Sequence, residues 1–193
     1  QSIYGIVYPK HLIFSERAMF YEPDVTNKND QRFVEKYLPE DVEYKEVLQA
    51  RITHGPFSSE GISRWFDIAT FKEIRKGLGT ERDAVKVDLK DYWRMQQEEK
   101  DNINIQKWCD FTDVWISWLK EEHGVDVEQQ PLEIDHASHA MNGGVKGDIE
   151  TRTEIPNLFV CGEALAGPHG ADRLGGNMMT GTQVFGARAG KYA

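Results

Sequence analysis

The run LFVC at 158–161 leads straight into Gly162-Glu163 and a glycine-rich loop, ALAGPHGADRLGGN, before a helical pattern resumes. A short unbroken apolar run of this kind fits a strand buried on both faces, as in a parallel sheet. Beyond it, Met178, Thr182, Phe185, Ala189 and Tyr192 recur at helical spacing, with Gly186, Gly190 and Ala193 on a second, small-residue face. This strand–loop–helix is the expected end of a larger α/β domain whose other strands lie elsewhere. Glycines just before a helix let a ligand approach exposed N–H groups, and the helix dipole favours negative charge there. The loop therefore suits an anion or an electron-rich ring edge. Arg173 lies on it, where α/β folds place ligands, and offers a planar fork for carboxylate. A surface arginine paired with Asp172 or Glu163 is an equally simple account of that residue.

Upstream of Pro131 the texture differs. Residues 3–14 are aromatic and β-branched and are broken by Pro9, which predicts an extended segment or two short strands. NKNDQRF at 27–33 reads as a turn, and 40–51 as a polar helix. A stronger helix follows, with its N-cap at Ser58-Ser59, Ile62, Trp65, Phe66, Ala69 and Glu73 at near-helical spacing, and Gly77 as its stop. AVKVDL at 84–89 alternates as a half-buried strand does, and DYWRMQQEEK predicts a short polar helix. Over 104–122 the residues Ile105, Trp108, Phe111, Trp115, Trp118 and Leu119 form an apolar stripe closed by His123-Gly124. An aromatic stripe at this spacing is core rather than a cofactor box. The fold class is thus α+β, with a change of character near 130.

The net charge of −9 argues against nucleic acid and anionic membranes, which need basic patches. An anionic ligand would instead depend on individually placed arginines. Cys109 and Cys161 form no metal or disulfide pattern, and Cys161, inside the apolar run, predicts a buried thiol. A start without Met and an end within a helical pattern lead us to expect a piece of a longer protein. In IDHASHAMNGGV, His136 and His139 lie beside glycines, so zinc is not expected. Nor does Ser138–His139–Asp135 make a hydrolase triad, because near neighbours in sequence cannot easily adopt that geometry. One histidine able to donate a hydrogen bond or proton beside the loop remains.

HAMNGGV, IPNLFVCGEALAG, HGADRLGGN and VFGARAG occur in an order that resembles the C-terminal half of the fumarate reductase/succinate dehydrogenase flavoprotein family. SERAMFYEPDVTNKNDQRFVEKY and GISRWFDIATFKEIRKG followed by VKVDL are similar to its more upstream segments. The resemblance implies a capping domain over 15–130, closing over the substrate. Residues 1–14 would then end a preceding FAD-domain segment, and 131–193 would be the C-terminal part of the FAD-binding domain.

By the same resemblance Arg64 corresponds to a proton-donating arginine, and Ser15 and Glu16 to carboxylate binding and proton relay. His139 corresponds to a substrate-binding histidine and Arg173 to a carboxylate clamp. Glu163 falls where the flavin ribityl chain is held, and Gly176, Asn177, Met178 and Met179 where the chain faces the flavin ring. The implied cofactor is FAD and the implied substrate a small carboxylate, reduced or oxidised by hydride exchange with flavin N5. The implied partners are an N-terminal half of the same polypeptide and an iron–sulfur or other electron-transfer subunit. Its place would be cytoplasmic, or peripheral on the inner face of a membrane. No G-x-G-x-x-G unit occurs within the chain, so weak or absent FAD binding is expected of these residues alone. Three departures stand out: Ile3 replaces a family histidine, Met19 a relay arginine, and Asp172 an asparagine. They leave a different carboxylate or enoate open. A non-catalytic binding or assembly module that keeps the capping fold is the other reading.

Overall fold

The computed structural model describes residues 2–54, 61–98, 103–170, 173 and 176–193. They divide into two compact units, 3–53 with 61–137, and 138–193 with Ser2 and His54. The first is built on a five-stranded sheet in the order β2-β1-β5-β4-β3. Its strands are β1 (Ser2–Tyr8), β2 (Leu12–Ile13), β3 (Asp24–Thr26), β4 (Val85–Asp88) and β5 (Leu132–Ser138). β1 and β2 pair antiparallel with Gly5 opposite Ile13, and Val87 of β4 lies between Val25 of β3 and Leu132 of β5, again antiparallel. Val85 and Val87 are buried while Lys86 and Asp88 are only partly so, as the alternation of AVKVDL predicts. The two compact units divide between 137 and 138, and β5 hydrogen-bonds to β4. Residues 3–14 join the same unit through β1 and β2.

Among the described residues, four α-helices pack in this unit. α1 (Tyr44–His54) begins with the Glu43 N–H donating to Glu46 Oε2, the reach-back half of a capping box. α2 (Arg64–Glu73) starts after Ser63; the N-cap expected at Ser58-Ser59 lies outside the described residues. Gly77, at φ 75°, ends the π turn Ile74–Leu78 that follows, which is the stop read from the sequence. α3 (Tyr92–Glu98) is short. α4 (Ile103–His123) closes at Gly124, whose N–H donates to Lys120 O while the Val125 N–H reaches Leu119 O. Among its described side chains the buried face is Thr112, Trp115, Ile116 and Leu119, four positions at i, i+3, i+4 and i+7. Phe111 and Trp118, expected on that stripe, are 54% and 39% exposed. Ile105 and Trp108 have side chains outside the described set.

In the unit at 138–193 the longest element is a C-terminal helix. β6 (Val145–Lys146) and β7 (Leu165–Ala166) pair in parallel, and α5 (Asn177–Tyr192) carries the expected C-terminal helix. LFVC is not the two-sided strand expected of it: Leu158 and Cys161 are exposed, and only Phe159 makes a bridge, to Arg152. A strand buried on both faces needs hydrogen-bonded neighbours on each side, and among the described residues Arg152 is the sole ladder partner.

Candidate functional site

Arg51 organises the first unit. It lies on the same face of α1 as Val47 and Leu48, four and three residues earlier, and this face enters the core. Its side chain is fully buried. Nε donates to Glu16 Oε2 at 2.7 Å and Nη2 to Glu16 Oε1 at 3.1 Å, a two-pronged grip. Nη1 turns the other way and donates to Asp67 Oδ2 at 3.0 Å and the Ser63 carbonyl at 3.3 Å. The guanidinium also lies over the rings of Tyr4 and Phe66, 5.0 and 4.9 Å from their centroids. Burial opposes its charge, but Glu16 and Asp67 outweigh burial and raise its pKa further.

Asp67 continues the network. Its Oδ1 is buried with no hydrogen-bond partner, an arrangement that costs about 1–3 kcal/mol unless a cation faces it. The cation is His136, with Nε2 3.5 Å away. The same Nε2 meets the Tyr4 hydroxyl at 2.9 Å, the rings of Tyr4 and His136 pack 4.7 Å apart, and Nδ1 is 3.5 Å from Asp135 Oδ1. Burial pulls the His136 pKa down, yet Asp135 and Asp67 more than compensate and push it up to about 9. Burial likewise works to raise Asp67, and Arg51 and His136 hold it below the usual carboxylate range. Burial, with Asp67 adding to it, lifts the Tyr4 phenol well above its ordinary value.

Of the residues expected from sequence, Glu16 is at the centre of this network, and Ser15 is buried beside it. The short 3-10 helix Glu16–Tyr21 aims Glu16 inward, and the Tyr4 N–H also donates to its Oε1 at 3.3 Å. Arg64 opens α2, its guanidinium 5.3 Å from the Trp65 ring centroid. Met19 is fully buried, a core residue, and Arg17 lies over the Phe111 ring at 4.2 Å.

The other expected residues belong to the second unit. His139 and Glu163 are exposed, and Glu163 Oε1 accepts the Met141 N–H at 2.7 Å, two residues past His139. Gly144 makes this arrangement possible: at φ 153° a Cβ there would sit 2.3 Å from the Ala164 carbonyl oxygen. Arg173 is 5% exposed, so the surface-arginine account fails; it is a buried cation on the loop before α5. Gly176, at φ 83°, precedes α5, and no side chain caps its first turn. Gly176, Asn177 and Met179 are exposed and Met178 is half-buried.

Residues 1–179 match the model of the FAD binding domain family. The chain belongs to the fumarate reductase/succinate dehydrogenase flavoprotein family. It is 31% identical over 189 residues to a polypeptide of the fumarate reductase (CoM/CoB) of Methanothermobacter marburgensis, covering 96% of this chain and 29% of that protein. Over 68 residues it is 44% identical to the chloroplastic L-aspartate oxidase 2-a of Nicotiana tabacum, covering 35% of this chain and 11% of the oxidase. Among solved structures it is similar to a quinol-fumarate reductase with menaquinol molecules, at TM-score 0.60 and 26% identity, over 99% of this chain and 31% of that one. Mycobacterium smegmatis Sdh1 in complex with UQ1 shares the fold at TM-score 0.62 and 22% identity, over 100% of this chain and 28% of that one. The chain thus spans less than a third of the length of these relatives.

FAD is the cofactor of this flavoprotein family. The residues present are compatible with one edge of it. An exposed, uncapped first turn of α5 presents backbone N–H groups, and Gly176 leaves no Cβ in front of them.

The sequence reading missed Arg51, Asp67, His136 and Tyr4. A signal was there for two of them. Arg51 shares the apolar side of its helix with Val47 and Leu48, and His136 alternates with Leu132 and Ile134 along β5. Asp67 has a weaker signal, since the residues that share its helix face, Ser63 and Thr70, are buried but polar.

Proposed function

We propose that the intact protein is an FAD-dependent oxidoreductase acting on a small carboxylate of the fumarate or succinate kind. The observation that carries this reading is the buried Arg173 on the glycine-rich loop, in a chain that matches the FAD family over 1–179. When bound, FAD supplies or accepts the hydride at flavin N5. Arg173 and His139 hold a substrate carboxylate and draw off charge as it develops. Ser15 orients a carboxylate, Arg64 exchanges the proton at the carbon opposite the hydride, and Glu16 returns that proton. Glu163 and the Gly176–Met179 segment hold the flavin, largely through backbone groups. Relatives named as part of a fumarate reductase and as a quinol-fumarate reductase support assembly with an electron-transfer partner. Among the described residues no helix is long and apolar enough to cross a membrane.

The test is Arg173→Ala in the full-length protein. Flavin absorbance is expected to stay, while reoxidation of reduced flavin by fumarate, or its reduction by succinate, is lost. Normal turnover in that variant removes Arg173 from the site, and a full-length wild type inert toward small enoates and their saturated forms rejects the substrate class.

A further inference from the structure

Arg51 is contested. Two carboxylates in one buried network compete for a single guanidinium: Glu16 holds Nε and Nη2, Asp67 holds Nη1. Asp67 differs from Glu16 in having a second cation beside it. Its Oδ1 faces His136 Nε2 at 3.5 Å and has no other partner. We propose that His136 is a positioning residue for Glu16: by holding Asp67, it leaves the Arg51 guanidinium to Glu16 and keeps that carboxylate clasped at both oxygens.

A protonated His136 shares the charge of Asp67, so Arg51 is drawn toward Asp67 less strongly. When His136 is neutral, Arg51 is the one cation left to Asp67 among the described residues, and the fork is pulled from Glu16 toward Asp67. The groups facing His136 are the Tyr4 hydroxyl from β1, Asp67 from α2 and its own neighbour Asp135 on β5, with Arg51 of α1 beyond Asp67. The two carboxylates favour the cationic ring, and the phenol stays neutral because burial, with Asp67 adding to it, raises its pKa. The ring is only partly covered, with 24% of the side chain exposed, so it exchanges protons with water while Arg51 does not. Its charge state thus transmits solvent pH to a buried carboxylate. The effect on turnover depends on the role proposed for Glu16; the effect on the Arg51–Glu16 contact does not.

The experiment reads both in the full-length protein. With ¹⁵N-arginine labelling, the Arg51 Nε–H signal is expected far downfield at neutral pH, as befits a charged 2.7 Å bond, and to move upfield as pH rises through about 9. His136→Gln should give the upfield position already at pH 7. Asp67→Asn should hold the signal downfield at every pH, and the double variant should follow Asp67→Asn. An Arg51 signal that ignores pH between 7 and 10.5 in the wild type, or that is unchanged in His136→Gln, overturns the proposal whatever the enzyme's activity. For turnover with fumarate, His136→Gln should lose the alkaline limb of the pH profile and run at the wild-type high-pH rate throughout. An NMR response as expected with an unaltered pH–rate profile keeps the positioning of Glu16 and removes its part in proton transfer.

Discussion

Arg51 bears the heaviest electrostatic load of any described residue, since it answers two carboxylates from a fully buried position. Replacing it with methionine keeps much of the volume and strands Glu16 and Asp67. The expected loss is about 3–5 kcal/mol, read from denaturant unfolding of the full-length protein. Arg51→Lys should lose less, because an ammonium keeps the charge but not the fork. His136 makes stability depend on pH with a defined sign. Its folded pKa, about 9, lies above the unfolded value near 6.5, so its contribution is complete below about 6.5 and disappears as pH rises through 9. The amount is on the order of 3 kcal/mol, and unfolding curves of wild type and His136→Gln should converge toward pH 10. Asp67 acts in the opposite sense: its lowered pKa gives stability that is lost as pH falls through the folded value. The spacing along β5 marks His136 as facing inward, but the partners of both residues were not legible from type and spacing, because burial of a charge depends on which chain segment covers it.

At the scale of elements, helical periodicity located α4, yet the buried stripe is rotated from the one that its aromatics suggest. Thr112 and Ile116 face the core with Trp115 and Leu119, while Phe111 and Trp118 sit on the open flank. Leu119→Ala should therefore cost about 2–5 kcal/mol. Phe111→Ala should cost no more than about 1 kcal/mol, most of it the lost contact with the Arg17 guanidinium. Thermal unfolding of the two variants side by side separates the stripes. β6 and β7 offer another element-level check, since Gly144 tolerates no Cβ against the Ala164 carbonyl. Gly144→Ala should destabilise by more than about 2 kcal/mol, with faster hydrogen exchange at the β6–β7 amides. The sequence showed Gly143-Gly144 as a loop, and only the pairing of β6 with β7 shows which of the two is indispensable.

At the scale of the whole molecule, the segment 138–193 keeps Met141, Ile149, Ile155, Leu158, Met179 and Val184 exposed, and α5 has no buried residue. Surface apolar area of that extent binds hydrophobic dyes. Prepared alone, the 193-residue chain should bind more anilinonaphthalene sulfonate per mole than the full-length protein; equal binding would mean that these side chains stay exposed in both. Sequence by itself determined the α+β class, β1, β2 and β4, the order of the helices and the family, because periodicity, turn residues and motif order are local properties of the chain. It also put forward Glu16, and Arg173 before α5, as candidates. What only the tertiary structure decided is the company those residues keep. Arg51 reaches Glu16 across 35 positions, and His136 reaches Tyr4 across 132. LFVC, which has the composition of a buried strand, meets only one bridge partner among the described residues. A side chain's type sets what it can bind, whereas burial and partner choice are set by segments far away in sequence, and those meet only when the chain folds.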